Sequence, residues 1–410
     1  MKKINPLYLI IISSFLVKIF AVSIVGDQKI MNEWSFLIHN FNASGVFGYN
    51  VVVNDFFATP LFADSDDIVL PTVYMPPLYF FLIYFLQVAS AEFFNLTKLV
   101  IFVQIILSTV SVFFLYKILQ KIDNSKLTII FTALFAFFPI SIYASTQISS
   151  ITLQIFLLIL YLYFLSKFFD KHETKDVIVF SFISALLILT RGEFFIFFIF
   201  TIFYTFIYFK VNLKLLLVTL LITTFLVSPY LIRNYKVFNE LVLTKSFGYN
   251  LLKGNYKEFK VEGNPKIIEK DFKIENLGIK TDKYFEINLD NFYKDEAIKY
   301  IKNDPFRFLI NYPKKALTFL FINLNSSYPG YYNLIHLLPK ILISFFSFIG
   351  LILLIKKKRG FFQFLAVYYI LNILFFSIFF ILPRYSLIIL PIQILLSISC
   401  VKFFLRKIFN

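Results

Sequence analysis

Cysteine is nearly absent: Cys400 is the only one in 410 residues, so neither an intrachain disulfide nor a cysteine-built metal site is possible. Histidine is almost as scarce, and His39, His172 and His336 stand far apart, which leaves no histidine metal motif. Acidic residues are outnumbered, with 24 Asp and Glu against 40 Lys and Arg, for a net charge of +16. That excess would suit nucleic acid if it covered a soluble surface. Instead the basic residues fall in short gaps between apolar runs, which is how membrane topology is encoded, so nucleic acid is not the expected partner. Internal repeats, coiled-coil heptads and low-complexity linkers are missing as well. What the chain has in abundance is apolar surface: 59% hydrophobic and 20% aromatic residues, with a mean hydropathy of +0.77. Soluble domains are roughly 45–50% apolar, so the excess calls for a lipid bilayer as solvent.

A spanning helix needs about 20 mostly apolar residues. Candidate spans are 6–25, 97–117, 127–145, 150–167, 176–190, 194–209, 213–231, 337–355, 361–381 and 386–403. The first follows Lys2 and Lys3 but has no small-residue cleavage site after it, and reads as a retained helix. Lysine then sets the orientation. The groups Lys117/Lys121/Lys126, Lys167/Lys171/Lys175, Lys210/Lys214, Lys356-Lys357-Lys358-Arg359 and Lys402/Arg406/Lys407 all fall on one side if ten helices cross. By the positive-inside rule that side is the cytoplasm, and both termini lie there. Residues 77–95, beginning Pro76-Pro77-Leu78-Tyr79, would invert every later group if they crossed. They are therefore expected to form a re-entrant or interface-lying helix on the outer side, starting with a proline as helix starts tolerate.

The expected fold class is an all-α integral membrane protein with about ten transmembrane helices. Its parts are a membrane module over 1–231 with an outer loop at 26–96, a small periplasmic α/β insert at 232–336, and C-terminal spans over 337–410. Within the insert, 288–303 reads as an amphipathic helix and Asp304-Pro305 starts another that runs into Phe319. Gly254-Asn255 and Gly263-Asn264-Pro265 read as turns.

Two kinds of residue could do chemistry. The outer loop is acidic, with Asp27, Glu33, Asp55, Asp64, Asp66 and Asp67 against Lys29 alone. Trp34, Leu37, Ile38 and Phe41 recur at helical spacing there, which predicts a short helix lying on the membrane surface with Trp34 at the interface and Glu33 flanking it with Asn40. Arginine is rare, and Arg191, Arg233 and Arg384 all fall at the outer membrane boundary. Arg191 sits two residues from Glu193, which could neutralise it. Otherwise these guanidiniums suit a phosphate, because each is always charged and can hold two oxygens at once. A boundary site with a carboxylate and fixed cations suits sugar transfer from a lipid phosphate. The cation stabilises the leaving phosphate, and the carboxylate takes the proton of the attacking hydroxyl. Attack opposite the phosphate would invert the anomeric carbon.

Met75-Pro76-Pro77-Leu78-Tyr79, Leu189-Thr190-Arg191-Gly192-Glu193, Pro229-Tyr230-Leu231-Ile232-Arg233-Asn234-Tyr235, Gly248-Tyr249-Asn250-Leu251 with Gly254-Asn255, and Pro383-Arg384-Tyr385 follow in order after the acidic loop. In that order the chain resembles the GT-C superfamily of membrane glycosyltransferases. It is most similar to the family 39-like bacterial branch, with relatives of the protein O-mannosyltransferases and the lipid A aminoarabinose transferase. The resemblance implies a catalytic carboxylate just after the first span, which points to Glu33, with Asp27 as second choice; the family usually has Asp there. It implies a donor-phosphate lysine where this chain has Met75, so Arg233 or Arg384 would take that work, with Arg191 as a further candidate. Pro76, Pro77, Tyr79 and Asn234 would line the donor and acceptor cavity. The donor implied is a polyprenyl-phosphate sugar and the acceptor a glycan, lipid or protein outside the cytoplasm, with the site on the periplasmic face of the inner membrane. No cofactor and no divalent metal are implied. A flippase for lipid-linked sugars, or an oligosaccharide polymerase or ligase, is the alternative function.

Overall fold

The computed structural model describes residues 5–50, 69–90, 93–171, 173–209, 211–258, 260–320, 333–355 and 360–409. Asp55, Asp64, Asp66, Asp67, His172, Lys210 and the cluster 356–359 lie outside them. The chain opens with α1 (Pro6–Val25), capped by the Asn5 side chain, and α2 (Asn32–Ser44), which ends on Gly45 in the left-handed region. Two three-residue strands, β1 (Gly48–Asn50) and β2 (Val69–Pro71), pair antiparallel with Tyr49 opposite Leu70. Then come α3 (Pro77–Ser90), α4 (Leu96–Ile122), α5 (Lys126–Ala136), α6 (Pro139–Thr146), α7 (Ile151–Lys171), α8 (Thr174–Thr190), α9 (Phe194–Phe209) and α10 (Leu213–Phe238). The insert follows as α11 (Phe247–Asn255), α12 (Pro265–Asp271), α13 (Phe285–Asn303) and α14 (Pro305–Leu320). The chain closes with α15 (Leu334–Ile355), α16 (Phe361–Phe376), α17 (Tyr385–Ile388) and α18 (Leu390–Phe409).

Each of the ten expected spans falls on a helix or a helix pair. By length and apolarity five of these helices are able to cross a membrane: α1, α4, α7, α10 and α15. The pair α5 and α6, bent by 43°, is a sixth if it forms one broken span. Length accounts for part of the shortfall against ten. At 1.5 Å per residue, the 16 residues of α9 and of α16 reach only about 24 Å. The 14 residues of α3 reach about 21 Å, short of a 30 Å hydrocarbon core, as the lysine pattern had required of this segment.

Local chemistry sets several helix ends. Asn95, Ser125 and Asn212 cap α4, α5 and α10 with their side chains. α10 runs past the expected end at 231 because Pro229 does not break it. The proline leaves the Phe225 carbonyl without its helical partner, and the Ser228 hydroxyl supplies one at 2.8 Å. At one end of the bundle, Lys121 pairs with Asp170 (2.7 Å) and Lys402 with Asp123 (2.8 Å), tying α4, α7 and α18. The insert sits at the other end.

The main core runs through the bundle, and a second lies in the insert around Leu252, Phe285, Leu289 and Tyr293. A third, made of Val73, Phe238 and Ile287, joins loop, bundle and insert. In place of the expected α/β insert, the described residues there are helical, and the only strands among the described residues are β1 and β2 of the loop. Gly254-Asn255 is the last turn of α11 rather than a loop turn. A Cβ on Gly254 would come within 2.5 Å of the Phe379 carbonyl carbon and the Phe380 nitrogen, so the glycine is there for close packing.

Candidate active site

Asp27 directly follows α1 and is stitched to the turn between α6 and α7. Its carboxylate accepts from the Ile148 amide at 2.7 Å, while its own amide donates to the Thr146 carbonyl at 3.2 Å. Glu33 stands in the first turn of α2, half-buried, and has no hydrogen-bond partner among the described residues. Its charge acts on the hydroxyls of Tyr49, Tyr74 and Tyr79. The apolar stripe of α2 does not lie on the membrane as its spacing predicts. Trp34, Leu37 and Ile38 are buried in protein, with Trp34 edge-on to Tyr79 at 4.8 Å. An apolar stripe specifies an apolar partner, and α3 serves as well as lipid. Asn40 is also structural, donating to the Gly48 carbonyl at 3.0 Å.

The segment after β2 is gripped from two sides. From α10, Arg233 donates to the carbonyls of Thr72 (2.7 Å) and Phe47 (3.1 Å) and to the Asn234 side chain (2.9 Å). Its guanidinium also stacks on Phe47 and Phe238. From α13, the Glu286 carboxylate accepts from the Thr72 hydroxyl (2.7 Å) and the Val73 amide (2.8 Å). Arg233, read from sequence as a phosphate clamp, thus has its donors turned onto the loop. Asn234 is fully buried and donates to the Val242 carbonyl, so it braces the end of α10. Of the other expected cavity residues, Pro77 and Tyr79 are buried and Pro76 is half-buried; the Tyr79 hydroxyl donates to Gln104 at 2.6 Å.

Burial raises the Glu286 carboxyl from 4.5 to about 7, against the bonds from Thr72, Val73 and Tyr74 and the charge of Arg233. The folded chain therefore keeps this proton to higher pH than the unfolded chain does. Its contribution to stability is complete below pH 4.5 and is lost as pH climbs to about 7. Melting in detergent, followed by the emission of Trp34, is expected to show stability declining over this range. Glu286→Gln is expected to remove that slope, and an unchanged slope would assign it to another group.

The cations gather around the neighbouring rings of Tyr385 and Phe380. Arg191 pairs with Glu193 at 2.5 Å, the neutralised state its sequence context had suggested, and lies over the Tyr385 ring. Arg384 is exposed beside the same ring. Lys253, from α11, sits 4.2 Å from the centre of the Phe380 ring. Burial and then the positive charge of Arg384 lower the Lys253 ammonium to about 8. The Tyr74 hydroxyl, raised by burial, also feels Tyr385, Glu33 and Arg384. Glu33 and Arg384 thus both act on Tyr74, and Lys253 lies close enough to Arg384 to feel its charge, although four separate parts of the chain supply them. Lys253, Tyr74 and Glu286 were not singled out from sequence. The usable signal for Lys253 was its place before Gly254, in a motif whose glycines are set by close approach.

Residues 75–232 match the sequence model of the dolichyl-phosphate-mannose-protein mannosyltransferase family. In fold, the chain is similar to the Archaeoglobus fulgidus oligosaccharyltransferase solved with a tethered acceptor peptide, at a TM-score of 0.56 and 13% identity, covering 98% of this chain and 50% of that one. The apo form of the same enzyme gives a TM-score of 0.52 at 13% identity, covering 99% and 51%. The chain has the GT-C fold. It spans about half the length of these solved GT-C structures, and no curated protein sequence matches it. On this GT-C frame the family match covers α3 through most of α10, including Arg191. Glu33, Arg233, Lys253 and Arg384 lie outside the matched segment.

Proposed function

We propose that the protein is a glycosyltransferase of the inner (plasma) membrane that moves one sugar from a polyprenyl phosphate to a glycan, lipid or protein outside the cytoplasm. The observation that carries this reading is that Glu33, without a hydrogen-bond partner among the described residues, and Arg384 both act on Tyr74, with Lys253 within the influence of Arg384. In the proposed step an acceptor hydroxyl attacks the anomeric carbon while Glu33 takes its proton. The bond from that carbon to the phosphate oxygen breaks, and polyprenyl phosphate leaves with one more negative charge. Arg384 and Lys253 stabilise that charge as it develops. No divalent metal or other cofactor is invoked. About ten membrane crossings, both termini in the cytoplasm and the site on the periplasmic face complete the reading, on the strength of the lysine distribution.

Purified protein, labelled polyprenyl-phosphate monosaccharides and membrane extract as acceptor test it through loss of sugar from the lipid. Lys253→Met and Arg384→Met are each expected to weaken donor binding by about 10- to 100-fold, the size of one hydrogen bond to a charged group. Because the Lys253 ammonium titrates near 8, binding is also expected to fall as pH rises through 8. A wild-type protein that binds no donor would remove the transferase reading.

A further inference from the structure

Tyr49 is the remaining polar group at this site. Its ring is 5% exposed, yet its hydroxyl is buried with no hydrogen-bond partner among the described residues. Few buried polar atoms in native proteins stay unpaired, and each such atom calls for an explanation. Slack in the backbone does not provide one here. Tyr49 is the central residue of β1, paired with Leu70 across the ladder. The neighbouring backbone is fixed by Asn40 on the Gly48 carbonyl and by Arg233 and the Thr72 amide on the Phe47 carbonyl.

The surroundings narrow what the hydroxyl could meet. After burial itself, the influences on it are the charges of Glu33 and Glu286 and then the hydroxyls of Tyr74 and Tyr230. The Glu33 carboxylate nearby makes this a poor place for a phosphate, which belongs on the Arg384 and Lys253 side. A neutral polyol suits it, because a phenol can donate to or accept from a sugar hydroxyl. We propose that the Tyr49 hydroxyl hydrogen-bonds a ring hydroxyl of the donor sugar and helps select which sugar is transferred. This assignment rests on the transferase reading above. It divides the donor between two ends of one site, with phosphate at the cations and sugar between Glu33 and Tyr49.

The test compares wild type and Tyr49→Phe as purified full-length protein. Binding of radiolabelled undecaprenyl phosphate is measured beside binding of undecaprenyl-phosphate glucose, mannose and galactose. Tyr49→Phe is expected to bind the sugar-free lipid within twofold of wild type and to bind its preferred sugar-bearing lipid about tenfold more weakly. Its melting temperature should not fall, since the substitution removes an unpaired polar atom and no bond. Equal weakening of both lipids, no weakening of either, or a lower melting temperature would make Tyr49 structural and overturn the assignment, while the transferase reading would stand on the phosphate binding. A wild-type protein that binds none of the four lipids overturns both.

Discussion

Replacing Glu33 with Gln is expected to reduce sugar transfer by about 10²- to 10⁴-fold, the range for losing a general base, while donor binding persists. The structure separates this loss from unfolding. The Glu33 carboxylate holds no hydrogen bond among the described residues, and Gln keeps its size. The melting temperature should therefore stay within a degree or two. Asp27 provides the contrast. Its carboxylate accepts from the Ile148 amide, and Asn preserves that acceptor, so Asp27→Asn is expected to keep most turnover. Turnover by Glu33→Gln equal to wild type, together with an inactive Asp27→Asn, would transfer the role of base to Asp27.

The second large effect concerns stability. Arg233→Ala is expected to cost about 2–3 kcal/mol, because it takes a charged donor from the Thr72 and Phe47 carbonyls, and the Thr72 amide remains for Phe47 alone. Arg233→Lys should recover only part of this, since one ammonium cannot copy a planar fork stacked between Phe47 and Phe238. Arg384→Ala, at an exposed position, should change stability by no more than about 0.5 kcal/mol. Chemical denaturation of the three variants in detergent, followed by Trp34 emission, checks the order. If Arg233→Ala is as stable as wild type but loses donor binding, Arg233 is a phosphate ligand after all.

The membrane helices were legible because burial in lipid writes itself as unbroken apolar runs. The expected span 194–209 coincides with α9, and the span 6–25 with α1. Segment 77–95 was set apart by lysine parity alone; α3, at 14 residues, is shorter than a spanning helix, as are α9 and α16 at 16. The strands were missed because each has three residues, too few for alternation to show. Long-range pairing was also out of reach. Nothing local to Glu286 announces that it will accept from Thr72, 214 positions earlier. The arginines could not be told apart for the same reason: Arg233 and Arg384 look alike in sequence, and only the fold shows one bound to backbone and the other exposed. Lys253 was hidden within the insert's many lysines until Gly254 brought it against Phe380.

The small ladder of β1 and β2 has an evolutionary corollary. Gly48 pairs with Pro71, the Thr72 amide donates to the Phe47 carbonyl, and Arg233 binds both sides, so residues 47 and 72 are fastened to each other and to α10. Because Arg233 serves both sides of the ladder through backbone carbonyls, the side chains of either strand can change without removing the fastening, whereas Arg233 itself cannot.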